Sequence, residues 1–479
     1  VSESVSQTVQ EFRGLAADSR DVRPGFLFAA LSGGKADGAR FMADAVKRGA
    51  VAVLGAPDVA EEARALGVRF IADANPRRKL ALLAADFYAA QPDVIAAVTG
   101  TNGKTSATVF LRQIWEAAGR KAASLGTIGV ISPSGEKTLT QTTPDPIGLH
   151  AELAQLKRAG VTHLAMEASS HGLDQFRLDG VRVKGAAFTN ITRDHMDYHP
   201  TQEHYLATKL RLFADVLQSD GVAVVNADAA DAEDFIAVAK RRQLRLLTVG
   251  AKGKDLHIVE HVVDPHSQRV TVQYNGRNRA LQLPFPGSFQ VSNVLVAAAL
   301  ALGLGESDDK VFAALEKLQG APGRLQLVAR AKSGAPIYVD YAHTPDALEA
   351  VLLALRPHVK GRLHLVFGCG GDRDKGKRPL MAAAAKKNAD AVIVTDDNPR
   401  SEDAAAIRRE ALAGCSGARE IADRAEAIHT AIAGLKTGDA LIIAGKGHEQ
   451  GQIIGTETRP FSDRDEAITA ARSLGGVVA

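Results

Sequence analysis

Two cysteines in 479 residues, Cys369 and Cys415, cannot build a disulfide framework, and without a CxxC pair they offer no structural metal site. Scarce cysteine fits a reducing compartment. Surplus charge is missing too: 58 basic residues face 55 acidic ones, a formal net charge of +3, and no long basic tract stands out. A nucleic-acid partner is therefore not expected, although acidic small molecules can still bind through local charge. The longest apolar run, residues 294–304, falls short of the roughly 20 residues that a bilayer-spanning helix needs. The first residues, VSESVSQTVQEF, have neither the basic region nor the apolar stretch of a signal peptide. A cytoplasmic protein with no membrane insertion is expected.

What is present is an ordinary globular balance, 46% hydrophobic and 24% charged, in a chain too long for one hydrophobic core. Short apolar runs such as THLAME, GVAVVNAD, LHLVFG, AVIVTD and ALIIAG enter polar or glycine-containing loops and alternate with Ala- and Leu-rich helical stretches. That alternation predicts α/β units with mainly parallel sheets, whose strands are covered on both faces. Breaks fall at ADANPRRKLALLAADF, where a helix is expected from Pro76, and at QGAPGRLQ, where Gly320, Pro322 and Gly323 interrupt the pattern. Three domains are expected: residues 1–74, 75–322 and 323–479.

The segment DVIAAVTGTNGKTSATVFLRQIWEAAG predicts a strand, a tight loop over Gly100, Thr101, Asn102 and Gly103, and a helix from Lys104 to a stop at Gly119. Loop glycines let backbone N–H groups wrap phosphate oxygens, and the helix N-terminus adds its positive dipole end. Lys104 can then reach the terminal phosphates, the Thr105 hydroxyl can hold Mg²⁺, and Ser106 completes the loop. The spacing departs from the common phosphate loop, since only two residues separate Gly100 from Gly103. Strand before, helix after and Lys-Thr in register still point to ATP or GTP.

Glu167 closes an apolar strand and suits a Mg²⁺ ligand beside that loop, or a capping role. His195 and His199 stand four apart in FTNITRDHMDYHP. A zinc-hydrolase reading fails there because Met196, not Glu, follows the first His, and Pro200 ends any helix. His195 fits better near Mg²⁺. In EHYLATKLRLF, Lys209 is either a snorkelling side chain or a buried neutral amine able to take up CO₂ as a carbamate.

Taken together, TGTNGKTS, TTPDP, MEASSHGL, TNITRDHMDYH, ATKLRLF, VDYAHTPDAL, FGCGGDRDKGKRP, DDNPR and GKGHE follow one another in the order found in Mur ligases. The chain resembles this family, most specifically its meso-diaminopimelate-adding branch, from DSRDVRPG near Asp18 to FSDRDEA near Asp463. The resemblance implies a small N-terminal α/β UDP-binding domain, a phosphate-loop ATPase-like central parallel sheet and a C-terminal Rossmann-like amino-acid-binding domain. It implies an ATP-dependent ligase of peptidoglycan precursor synthesis whose substrates are ATP, UDP-N-acetylmuramoyl-dipeptide and meso-diaminopimelate, acting as a monomer with two Mg²⁺. The D-Glu γ-carboxylate would attack the γ-phosphate, and an amine would displace phosphate from the acyl phosphate. By the same resemblance Lys104 is catalytic, Thr105, Glu167 and His195 are magnesium-site residues, and Lys209 is the carbamylated lysine. Asn293, Arg324 and Asp340 become nucleotide contacts, and Ser19 a uridine-end contact. Thr142, Thr143, Ser169, Gln175 and Arg177 become contacts to the sugar-peptide. Pro200 departs from the family, which has Gly there.

Three C-terminal strands would deliver the amine site: LHLVFG to Arg373, AVIVTD to Asp397, Asn398, Pro399 and Arg400, and ALIIAG to Gly445 and Glu449. Diaminopimelate carries one more carboxylate than lysine, and a guanidinium grips a carboxylate with two parallel hydrogen bonds. Arg400 is therefore the expected selector, with Arg373 assisting and Asp397 and Glu449 receiving the distal ammonium. A lysine-adding or folylpolyglutamate-synthase-like ligase would not need DDNPR. A phosphate-loop ATPase without ligase activity would leave these loops idle.

Overall fold

Each sheet is built from the short apolar runs, and in every case the polar loops gather at the strands' carboxyl ends. A computed structural model describes residues 11–33, 37–264 and 267–479. The first sheet has four parallel strands in sequence order, Gly14–Ala16, Phe26–Ala29, Ala50–Gly55 and Arg69–Ala72. Next comes the helix Pro76–Tyr88, started by proline in its first turn and by Asn75, whose side chain accepts from the Arg78 N–H at 3.1 Å. Its Leu80, Leu83 and Ala84 are buried with Leu27, Ala29 and Leu54 of the first sheet, and Ile147 of the helix Pro146–Arg158 packs against the same cluster. This helix thus ties the first sheet to the second.

The second sheet has 11 strands. Its parallel centre runs Leu256–Val263, Arg245–Gly250, Leu217–Asn226, Val183–Phe188, Val94–Thr99, His163–Glu167, Ala122–Gly126, with antiparallel pairing beyond it at both ends. Val94–Thr99 is sandwiched. Ala96 and Val98 face the helices Lys104–Ala117 and Ser288–Gly303, while Ile95 and Ala97 face the opposite core. A strand covered on both faces has no polar side, which is why its sequence does not alternate. Each fully buried Val or Ile contributes roughly 1.5–3 kcal/mol.

The third sheet has seven strands. Five are parallel, in the order Arg419–Glu420, Ala391–Asp396, Leu363–Cys369, Ala440–Ala444, Pro336–Asp340, with Gln326–Arg330 and Val477–Val478 antiparallel at one edge. The strands ending in Asp396, Cys369 and Ala444 are therefore immediate neighbours, and the loops after them share one sheet edge. Cys369 is buried with its Sγ 3.9 Å from the Met381 sulfur, and burial pushes its thiol up to about 12. Such a thiol is inert packing. Among the described residues, no helix is long and apolar enough to cross a membrane.

Candidate active site

The loop after Val94–Thr99 turns at Gly100 and Gly103 into the helix Lys104–Ala117, which has no side-chain cap, so its first amides face the loop's concave side. Gly103 has φ +85°, and a Cβ there would lie 2.3 Å from the Asn293 Oδ1. Both backbone conformation and space thus demand glycine. The variant Gly103→Ala is expected to weaken nucleotide binding by about tenfold or more, because the shifted loop loses amide alignment. Calorimetric titration with ATP measures it, and unchanged affinity would show that the loop does not hold the phosphates.

The loop opens into a cavity of about 370 Å³ lined by both the second and third sheets' units. Thr101, Asn102, Gly103, Lys104, Thr105 and Ser106 form one wall, and Glu167, His195, Lys209 and Asn293 another. Arg324 and Asp340 close it from the third unit. Arg324 crosses between units, its Nη2 donating to the Thr105 hydroxyl at 3.2 Å while its guanidinium stacks 4.4 Å over the Tyr341 ring. The buried Asp340 carboxylate accepts from the Leu325 and Ala342 N–H groups at 2.6 and 2.7 Å, and burial raises its pKa. It fixes the entry to the third unit, where Leu325 is held at φ +47°.

Two lysines meet on one carbonyl. Lys104 Nζ donates to the Gly100 and Thr101 carbonyls, both at 2.8 Å, and Lys209 Nζ donates to the same Gly100 oxygen at 2.8 Å. Lys209 is 1% exposed in the helix Gln202–Arg211, with Tyr205 one turn earlier and its ring 4.5 Å from Nζ. Burial, reinforced by the neighbouring Lys104 charge, drives the Lys209 amine well below the usual lysine range. Burial likewise lowers Lys104. Asp194, also on the cavity wall, is the counter-charge that opposes both shifts. The sequence offered Asp194 only as a neighbour of His195, so its part here was missed.

Glu167 is 1% exposed and accepts from the Thr105 hydroxyl at 2.9 Å, the Thr127 N–H at 2.8 Å and the Thr127 hydroxyl at 3.1 Å. Among the described residues, no three His, Cys, Asp or Glu side chains group to hold a metal. A buried carboxylate and hydroxyl with one nearby imidazole still make a donor set for a hard cation whose remaining ligands come from a bound phosphate. His195 sits at φ +55° in a turn closed by the His199 N–H on its carbonyl at 2.8 Å, so the two histidines are not on a helix. His199 is buried instead, 3.1 Å from His204 between ring nitrogens, and burial pushes it down to about 4.

Of the expected sugar-peptide contacts, Thr142 and Ser169 line the cavity, while Thr143, Gln175 and Arg177 are not among its lining and are hydrogen-bonded behind it. Ser169 Oγ donates to Thr143 Oγ1 at 3.0 Å, Thr143 to the Glu167 carbonyl at 3.0 Å, and Arg177 to Gln175 at 2.8 Å. Thr142 lies 3.0 Å from Thr127 between hydroxyls. Ser19 is not part of this cavity: it is buried in the turn Ser19–Asp21 of the first unit.

Beyond the third sheet, Gly371 N–H donates to the Asn398 carbonyl at 2.9 Å, and Arg400 Nη1 to the Gly371 carbonyl at 2.8 Å. A Cβ on Gly371 would lie 1.9 Å from the Pro399 carbonyl oxygen, so the loops can interlock only with glycine. Arg400 is half-buried at φ +53°, held by backbone bonds to the hairpin of Gly451–Ile454 and Glu457–Pro460. Burial, with Arg373 nearby, lowers its pKa. Arg373 is exposed and bonds only its neighbour's carbonyl. Asp397, Asn398 and Glu449 converge on Lys446 Nζ, at 3.7, 2.8 and 3.3 Å, and Lys446 is fully buried. Lys446 was overlooked although it stands between Gly445 and Glu449 in GKGHE. The last of these loops abuts the cavity, since Gly447 packs on Tyr341 and the His448 and Tyr341 rings are 5.3 Å apart.

A glycine-turn loop of the phosphate-binding type, closed over by an arginine from a separate α/β unit, places one cavity between two units. Family comparison gives the class. Three models match in chain order: "Mur ligase family, catalytic domain" at residues 11–88, "Mur ligase middle domain" at 98–301 and "Mur ligase, glutamate ligase domain" at 323–447. The chain belongs to the Mur ligase family and is an enzyme of the C–N bond-forming ligase class. It is 57% identical to the UDP-N-acetylmuramoyl-L-alanyl-D-glutamate–2,6-diaminopimelate ligase of Bradyrhizobium diazoefficiens, covering 96% of this chain and 95% of that protein. The ligase of the same name from Agrobacterium fabrum is 53% identical, with 97% and 94% covered. A solved structure of a ligase bearing that name superposes with a TM-score of 0.70 at 36% identity, covering 96% of this chain and 95% of its own.

Proposed function

We propose that this chain is the ATP-dependent ligase that joins meso-diaminopimelate to the D-Glu γ-carboxylate of UDP-N-acetylmuramoyl-L-Ala-D-Glu. The observation that carries it is the interlocking of the Gly371 and Arg400 loops, with Asp397 and Glu449 alongside, next to a 445–449 loop that packs on Tyr341 of the phosphate-loop cavity. The distal carbon of meso-diaminopimelate carries both a carboxylate and an ammonium, so its receptor needs a guanidinium and carboxylates side by side, and Arg400, Asp397 and Glu449 supply both. A lysine-adding enzyme has no use for a half-buried arginine there.

In this reading the first unit, residues 1–74, takes the UDP end through Ser19. The central unit, residues 75–322, binds ATP, and the third, residues 323–479, binds the amino acid. The loop amides and Lys104 hold the phosphates; two of the three Lys104 protons are engaged by carbonyls, which leaves one for a phosphate oxygen. Asn293 and Asp340 shape the base and ribose ends, and Arg324 reports nucleotide to the third unit through Thr105. Thr142, Thr143, Ser169, Gln175 and Arg177 orient the sugar-peptide so that its γ-carboxylate faces the γ-phosphate. A carboxylate is a poor acylating agent until its oxygen becomes a leaving group, so phosphorylation must precede amine attack. Thr105, Glu167, His195 and Lys209 would hold two Mg²⁺, which when bound neutralise the facing anions. Lys209 joins them as a carbamate: its neutral amine adds to CO₂, releasing one proton and leaving an anionic oxygen beside Lys104, Tyr205 and the Gly100 carbonyl.

Phosphate release from ATP with the UDP-sugar dipeptide, adding meso-diaminopimelate or lysine in parallel, tests the reading. Turnover with diaminopimelate alone is expected. Turnover with lysine would keep the ligase and overturn the role of Arg400. Release that needs neither amine nor UDP-sugar would favour a simple ATPase.

A further inference from the structure

Two arginines with fully buried side chains lie beneath the loops at the carboxyl edge of the third sheet, and the chemistry above uses neither. Arg424 forms a bidentate pair with Asp463, Nε and Nη2 each 2.7 Å from a carboxylate oxygen, and both residues are 0% exposed on their side chains. Its remaining N–H groups reach backbone. Nη2 donates to the Ala444 carbonyl at 2.9 Å and Nη1 to the Asp396 carbonyl at 3.3 Å. Those two carbonyls are the last of their strands, one residue before Gly445 and Asp397 respectively.

Arg378, in the first turn of the helix Lys377–Asn388, repeats the device on the other side. It donates to both Glu402 oxygens at 3.1 and 2.9 Å, to Glu410 at 2.7 Å and to the Gly370 carbonyl at 3.2 Å. Glu402 in turn accepts the Asp372 N–H at 2.6 Å. One guanidinium thus fastens the loop at 370–372 to the segment after Arg400, and the other fastens the strand ends that feed residues 397 and 445.

A buried ion pair adds little net stability over apolar residues of equal size, so stability alone does not account for Arg424 with Asp463, nor for a fully buried Arg378 beneath the partly exposed Glu402 and Glu410. Geometry does. A planar guanidinium holds a carboxylate with one edge while its other N–H groups fix backbone carbonyls at set angles, which no apolar residue or lysine can do. We propose that Arg424, with Asp463, and Arg378, with Glu402, are positioning residues that lock the three amine-site loops into one rigid receptor. The inference rests on the amine-site reading above.

The test is Arg424→Lys and Arg378→Lys in the full chain, which keep a cation but lose the second edge. The expected result is a rise in KM for meso-diaminopimelate of about tenfold or more, with KM for ATP and for the UDP-sugar dipeptide within about twofold. Amide hydrogen exchange should quicken at residues 396–402 and 444–449 and stay unchanged at 98–106. Unchanged diaminopimelate KM and exchange, or an equal rise for all three substrates with protection lost throughout, would overturn it. Where a lysine variant does not fold, Asp463→Asn and Glu402→Gln make the same reading by milder means. A wild-type enzyme indifferent to diaminopimelate would sink the amine-site reading, while the exchange measurements would still decide whether the arginines fasten the loops.

Discussion

Lys209→Ala is expected to lower kcat by roughly a thousandfold while leaving ATP binding nearly intact. The side chain is buried against the Gly100 carbonyl and the Tyr205 ring, and the helix it sits on is held by other contacts, including buried Tyr205 and Thr208. What disappears is the anion that a carbamate would place beside the phosphate loop. The truncated pocket should accept a short carboxylate, so added acetate or formate is expected to restore part of the rate. Steady-state turnover with and without these acids measures it. A variant that keeps its activity without rescue would refute the carbamate and return Lys209 to a packing role.

Arg400→Ala is expected to lower kcat/KM for meso-diaminopimelate roughly 100- to 1,000-fold and to leave nucleotide affinity unchanged. Removing a half-buried guanidinium abolishes the bidentate grip proposed for the distal carboxylate and leaves the exposed Arg373 as the nearby guanidinium. Lysine lacks that carboxylate, so the preference between the two amines should narrow. Arg400→Lys should recover little, since an ammonium cannot form two parallel bonds. Kinetics with each amine, beside ATP titration, separates these outcomes. Unchanged diaminopimelate kinetics would remove Arg400 from the site.

The stretch VIVTDDNPR shows how far sequence reading reaches here. Its strand and the exit of its polar end at the sheet's carboxyl edge were legible, because both follow from a continuous apolar run in a parallel sheet. The phosphate loop was legible for the same reason: strand, turn and helix are contiguous. What stayed hidden depends on distant partners. Arg400 holds φ +53° only because residues 451–460 form a hairpin that bonds its backbone, and nothing near DDNPR announces that hairpin. Arg424 and Asp463 are 39 positions apart, so neither reads locally as half of a buried pair. The sequence excluded a helical zinc pair at His195 and His199 through Met196 and Pro200, but not that a turn with a left-handed His195 sends one ring to the cavity and the other into packing. The helix Pro76–Tyr88 was foreseen as a connection, but its burial against the first sheet required three-dimensional neighbours.

The shared Gly100 carbonyl carries a thermodynamic obligation. Lys104 and Lys209 share one acceptor at close quarters, so whatever draws Lys104 away changes the free energy of the Lys209 amine, and the reverse holds as well. Phosphate occupancy and CO₂ uptake are then linked functions. If saturating nucleotide raises carbamate occupancy by some factor in its equilibrium constant, carbamate must raise nucleotide affinity by that same factor. If Lys209 carries a carbamate, dissolved CO₂ is a second ligand in every nucleotide titration, and a dissociation constant for ATP then has meaning only at a stated CO₂ concentration.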